Sequence, residues 1–150
     1  APGEAIYLPA GNLHAYLGGV AVELMANSDN VLRGGCTPKH VDVPELLRVL
    51  DFQCGPVRRY RPEPGEGGEA VYATPTEEFR LSRFTLGPGF TARPARRGPE
   101  ILLCAEGEAR LTLGAQRLVL PRGASAFVSA AEGAYALEGD GLVFRATAGL

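Results

Sequence analysis

The feature that most constrains this chain is a rhythm of short apolar runs beginning at Phe79. They fall at 79–86, 100–105, 108–113, 116–120, 124–128, 133–137 and 141–147, with Gly or Pro at nearly every join. Strands this short and this evenly spaced specify a β-sandwich or barrel. Alternation along Phe79, Leu81, Phe84 and Leu86, and again along Leu111, Leu113, Leu118 and Leu120, predicts faces turned toward a core. Twenty Gly and twelve Pro in 150 residues suit many strands joined by turns. No helix is needed after residue 50.

The first third reads differently. Strands are predicted at 4–8, 14–17 and 20–26, the first ended by Pro9-Ala10-Gly11 and the next two parted by Gly18-Gly19. In the third, Val20, Val22, Leu24 and Ala26 share one face, and Ala21, Glu23 and Met25 the other. One short helix is predicted over Val43 to Leu50. Asp42 serves as its N-cap, Pro44 and Glu45 sit in its first turn, and Leu46, Leu47 and Leu50 are its buried side. Further strands are expected at 56–61 and 69–73, around a solvated loop at 62–68 in which Glu63, Glu66 and neighbouring Glu69 are surface charges.

Composition narrows the class. A 45% hydrophobic and 21% charged chain has the make-up of a soluble globular protein. Its formal net charge of −2 gives no general attraction to nucleic acid or anionic membrane. Cys36, Cys54 and Cys104 are odd in number and lack C-x-x-C spacing, so a disulfide framework is not expected and a cytoplasmic setting is. No segment is apolar for long enough to span a membrane. The start at Ala1-Pro2-Gly3, without Met and with strand character from residue 4, reads as the beginning of a fragment.

An internal repeat gives the strands chemical meaning. Gly3, five residues, Pro9-Ala10-Gly11, two residues and His14 form one copy. Gly114, six residues, Pro121-Arg122-Gly123, two residues and Ala126 form the other. Each is a strand, a tight turn and a returning strand whose third residue points inward. This pattern resembles the second motif of the cupins, jelly-roll barrels that often hold a metal through the His after Pro-x-Gly. Glu100, six residues and Gly107 fit the acidic element of the first cupin motif, but Arg93-Pro94-Ala95-Arg96-Arg97 stands where its histidines would be. The resemblance therefore implies a second barrel without metal.

A longer match is more specific. Asn12-Leu13-His14-Ala15-Tyr16-Leu17, then Asn27-Ser28-Asp29-Asn30-Val31-Leu32-Arg33-Gly34-Gly35 and Thr37-Pro38-Lys39, resemble the signature of type I mannose-6-phosphate isomerases, and the likeness continues through Phe52. The resemblance implies mostly β cupin-type jelly-roll barrels with one short helix. Residues 1–52 would end a first, catalytic barrel, and 53–150 would form a complete, non-catalytic one. It also implies zinc-dependent interconversion of mannose 6-phosphate and fructose 6-phosphate through an enediol. His14 would be a zinc ligand, Arg33 the active-site arginine, and Tyr16, Glu23, Asp29 and Lys39 the lining of the substrate pocket.

The residue types suit that chemistry. An arginine, always cationic, can stabilise an enediolate or grip phosphate with two hydrogen bonds. A lysine gives a compact phosphate contact, and Glu23 and a zinc-bound water are both candidates to move the proton. The other family ligands, a Gln-x-His pair and a Glu, have no match in the chain, so this portion is expected to be inactive alone.

Simpler readings stand beside these. His14 could be structural, Arg33 a surface charge, and Asn27 to Asn30 an ordinary polar turn. His40 reads as a surface or capping residue, and Cys36 has nothing basic to activate it. Arg93, Arg96 and Arg97 read as a solvated loop, with anion or chain binding as the alternative. The competing function is a stand-alone cupin-like module, sugar-binding or structural, without catalysis. An unpaired sheet edge near residues 4–26 predicts self-association.

Overall fold

A computed structural model describes residues 1–28, 30–53 and 55–149. Its centre is a seven-stranded antiparallel sheet formed by β3 (Glu63–Pro64), β4 (Ala70–Val71), β5 (Arg80–Leu86), β6 (Glu100–Leu113), β7 (Gln116–Pro121), β8 (Ser125–Val128) and β9 (Tyr135–Thr147). The order is β3-β4-β5-β9-β6-β7, and β8 pairs with the first half of β6. A separate pair joins β1 (Ala5–Ile6) to β2 (Arg59–Tyr60).

Two joins expected between strands are bends within strands. The predicted runs 100–105 and 108–113 are one strand, β6, with a register shift between Cys104 and Glu106; 133–137 and 141–147 are likewise one strand, β9. Glycine makes this possible. Gly107 has φ +66°, and a Cβ there would lie 2.0 Å from the Asp140 carbonyl oxygen. Across the corner, a Cβ on Gly141 would lie 2.0 Å from the Glu106 oxygen. The bulge bends β6 so that its first half pairs with β8 and its second with β7, curling the sheet round its core.

The core is apolar where alternation turns side chains inward. Phe84, Leu102, Cys104, Leu137 and Val143 are fully buried, with Leu120 beside them. In β5 the inward row is Ser82, Phe84 and Leu86, while Leu81 lies on the other face, so the expected Phe79–Leu81–Phe84–Leu86 face is split by the period of two. Leu111 is buried, yet its cross-strand partner Leu118 is 48% exposed, because β7 ends the sheet.

The helix α1 (Val43–Val49) forms as expected. The Asp42 side chain accepts from the Glu45 N–H at 3.1 Å, and Pro44 occupies the first turn. Leu46 is buried and Leu50 half-buried, but Leu47 is exposed, since 100° per residue carries it off the buried side.

The predicted strands at 14–17 and 20–26 are not formed. Both stretches lack a ladder partner among the described residues, and a strand without one leaves its backbone groups unpaired. The alternation of 21–26 survives in burial: Val22, Leu24 and Ala26 are half-buried, and Ala21, Glu23 and Met25 exposed. Val20 and Leu17 are fully exposed. The chain start is tied to the sheet domain by the β1–β2 pair, by the Tyr72 hydroxyl donating to the Gly3 carbonyl at 3.1 Å, and by ion pairs from Arg59 and Arg61 to Glu4.

Candidate functional site

Three of the predicted site residues come together. The Tyr16 hydroxyl donates to Glu23 Oε1 at 2.7 Å, bringing the returning run onto the one before it. The His14 and Tyr16 rings meet edge to face, 6.1 Å between centroids and 79° between planes. His14 Nδ1 lies 3.0 Å from the Asn12 carbonyl oxygen. A carbonyl only accepts, so Nδ1 donates this bond, and in the neutral imidazole the lone pair then lies on Nε2. The hydrogen bond to Glu23 raises the Tyr16 pKa, which keeps the phenol a donor at neutral pH.

Arg33 reaches this neighbourhood through the backbone. A Cβ on Gly34 would lie 2.3 Å from Leu13 Cδ1, so the residue after Arg33 packs against the residue before His14. A side chain at 34 would require the exposed Leu13 side chain to shift. Arg33 is exposed, as are His14, Tyr16 and Glu23. Lys39 is also exposed; its N–H donates to Thr37 Oγ1 at 3.1 Å in a tight turn, and among the described residues no contact joins its ammonium to the His14 group. Asp29, the remaining predicted pocket residue, lies outside the described residues.

The fit to zinc is partial. His14 offers one ligand nitrogen of the kind zinc takes, but a zinc site needs three or four protein ligands. Among the described residues no group of three His, Cys, Asp or Glu side chains is placed to hold a metal. These residues do not build a zinc shell by themselves.

The seven-stranded sheet holds a polar cluster that composition and pattern did not reveal. Arg145, fully buried, donates from Nε to Glu100 Oε2 at 3.0 Å and from Nη2 to Glu100 Oε1 at 2.6 Å. It also donates to Glu69 Oε1 at 3.0 Å and to the Ala95 carbonyl at 2.6 Å. The Tyr135 hydroxyl donates to Glu100 Oε2 at 2.7 Å. Burial by itself would raise the Glu100 pKa, but the hydrogen bonds from Arg145 and Tyr135 hold it below the ordinary carboxylate range. Burial opposes charge on Arg145 as well, and Glu100 overcomes it and raises that pKa. The Tyr135 phenol is pushed up by burial and by Glu100.

Two expectations are corrected here. Glu69 is not part of a solvated acidic loop; it is buried and takes ion pairs from Arg145 and Arg80. Arg96 is not solvated either, because it pairs with Glu100 at 3.2 Å and donates to the Ser129 carbonyl at 2.6 Å. The signal was present in β9, where Arg145 shares the inward period-two face with Val143 and Thr147. The cluster also gives Ala126 its context. Ala126 pairs with Leu102, and Leu102 with Arg145, in one cross-strand row. The carboxylate matching the cupin acidic element is thus committed to a guanidinium.

The bent antiparallel sheet and the Pro-x-Gly turns together have the form of a cupin. The family described as "Mannose-6-phosphate isomerase, cupin domain" matches residues 70–148, more than half of the chain. The chain belongs to that family. Mannose-6-phosphate isomerase of Escherichia coli is 42% identical over 145 residues, which are 96% of this chain and 37% of that protein. Mannose-6-phosphate isomerase 2 of Arabidopsis thaliana is 40% identical over 130 residues, 86% of this chain and 30% of that one. A crystal structure of mannose 6-phosphate isomerase from Salmonella typhimurium, bound to fructose 6-phosphate and zinc, superposes with a TM-score of 0.70 at 38% identity. That superposition covers 84% of this chain and 32% of the other. The chain therefore spans about a third of the length of these relatives.

Proposed function

We propose that this chain supplies part of a zinc-dependent aldose–ketose isomerase that interconverts mannose 6-phosphate and fructose 6-phosphate. In this reading residues 1–52 belong to the catalytic barrel and 53–150 form the non-catalytic one. The single observation that carries the reading is the imidazole of His14, held through Nδ1–H by the Asn12 carbonyl so that Nε2 is free to ligate. The Tyr16–Glu23 pair and the Arg33 segment lie beside it.

The roles follow from residue chemistry. Isomerisation moves a proton between adjacent carbons and builds negative charge on the neighbouring oxygens. Glu23, oriented by the Tyr16 hydroxyl, is placed to carry that proton. Arg33 stabilises the enediolate or holds the phosphate. Lys39 and Asp29 complete the substrate-facing wall when the rest of the site is present. Since the described residues supply one zinc ligand, the metal and the remaining ligands must come from outside them.

A cytoplasmic enzyme acting on a phosphorylated hexose fits this assignment. Among the described residues no helix is long and apolar enough to cross a membrane. The extended run through 14–26 also offers unpaired backbone to another chain, which supports self-association or pairing with the remainder of a catalytic barrel.

The test is a chimera in which this chain replaces the matching stretch of the Escherichia coli relative. Isomerase activity and zinc content are expected, with both lost on His14→Ala. Full activity of the His14→Ala chimera would defeat the assignment. An isolated chain holding one zinc would favour a separate metal-binding module instead.

A further inference from the structure

We propose that the outer face of the second barrel carries a binding site for a small polyanion, a molecule with two or more phosphate or carboxylate groups. A cleft of about 530 Å³ opens over β9, β6 and β7, and three arginines line it: Arg93, Arg110 and Arg117. No residue of 1–52 lines it, so this site is separate from the His14 region. Its volume lies in the range of small-molecule sites.

Register and backbone fix the arginines in place. Arg110 pairs with Val119 on one side and Glu138 on the other. One step along, Thr112 pairs with Arg117, so Arg110 and Arg117 are diagonal neighbours on the solvent face of β6 and β7. Arg93 comes from a strap laid across β9. Ala92 and Leu137 exchange backbone hydrogen bonds at 2.9 and 3.0 Å, and the Arg93 N–H donates to the Gly67 carbonyl at 3.0 Å. Gly67 lies so close that a Cβ on it would be 2.2 Å from the Arg93 oxygen. The strap is held at Ala92 and at the backbone of Arg93 itself.

Charge argues for a ligand. Arg48, Arg59, Arg61, Arg80, Arg96 and Arg145 each reach a carboxylate. The three cleft arginines form no salt bridge among the described residues, as is also true of Arg33, Arg58, Arg83, Arg97 and Arg122, but only these three share a cleft. The cleft has one carboxylate, Glu138, whose Oε1 already accepts from Thr91 at 3.0 Å. Three arginines thus share a cleft with one carboxylate in a protein of formal net charge −2. Guanidinium forks suit bidentate capture of phosphate or carboxylate oxygens, and an anion would relieve their mutual repulsion.

The test is calorimetric titration of the protein at low ionic strength with pyrophosphate, citrate and, as a salt control, chloride. Pyrophosphate or citrate is expected to bind, and the better of the two identifies phosphate or carboxylate as the preferred group. Arg110→Gln/Arg117→Gln should weaken binding about tenfold or more, and Arg122→Gln, on the turn after β7 outside the cleft, should leave it unchanged. Circular dichroism checks that the variants fold; should the double variant fail, Arg93→Gln is expected to weaken binding from the strap side. Binding of neither anion, equal binding by the folded Arg110→Gln/Arg117→Gln variant, or an equal loss in Arg122→Gln would overturn the proposal.

Discussion

Arg145 and Glu100 form a two-pronged ion pair within the seven-stranded sheet, Nε to Oε2 at 3.0 Å and Nη2 to Oε1 at 2.6 Å, with both side chains fully withdrawn from solvent. Taking two charges out of water is costly, and removing one partner strands the other. Arg145→Leu would leave Glu100 and Glu69 facing each other without their shared cation. The expected loss is about 3–5 kcal/mol in chemical denaturation. A loss under about 1 kcal/mol would mean that water or Arg96 replaces the guanidinium.

The same pair sets an acid limit. The Glu100 pKa is lowered on folding, so its contribution is complete above the unfolded carboxylate value of 4.5 and is lost as pH falls through the folded value. Stability should hold from neutral pH down to about 4.5 and then decline. In a Glu100→Gln protein, already weaker at neutral pH, the decline should be shallower. Parallel stability curves for the two proteins from pH 6 to pH 3 would refute the linkage.

Gly107 is the corner of the sheet. Its φ of +66° and the 2.0 Å gap between an added Cβ and the Asp140 oxygen leave no room for a side chain. Gly107→Ala should cost more than the roughly 1 kcal/mol that a left-handed alanine costs by itself. Gly114→Ala, at φ +56° with open space round its Cβ, serves as the comparison and should cost only that conformational term. Thermal melts of the two variants make the distinction. Equal melting temperatures would show that β6 and β9 can part at the corner.

Tyr16 and Glu23 should separate in kinetics. In an active chimera, Glu23→Gln removes the group proposed to carry the proton and should lower kcat by about 10²–10⁴-fold. Tyr16→Phe removes the donor that orients Glu23 and should give a smaller loss, about tenfold, with a change in the pH profile. Equal losses from the two would assign the proton transfer elsewhere.

Much of the architecture could be read from the chain because local rules govern it. The Asp42 cap, the Pro44 first turn and α1 depend on a few adjacent residues. The strands from Arg80 onward depend on a period of two, and His14 stood out through its Pro-x-Gly spacing. The errors arose where distant segments decide. Gly107 and Gly139 looked like breaks between strands, but each continues its strand because β6 and β9 cross there with backbone almost touching. Glu69 looked like a surface charge because nothing near it in sequence signals Arg145, 76 positions away, and Arg96 because the Ser129 carbonyl that it meets lies 33 positions away.

The sequence by itself determined the cupin strand pattern, the capped helix and the identity of His14 and Arg33 as candidates, since period, capping and spacing are properties of neighbouring residues. Tertiary structure alone decided that 14–26 stays unpaired, that Leu13 and Gly34 meet, and that Glu100 closes on Arg145. Those outcomes depend on which backbone and which charge arrive opposite, and burial then fixes them, because a polar group away from water must take the partner the fold delivers.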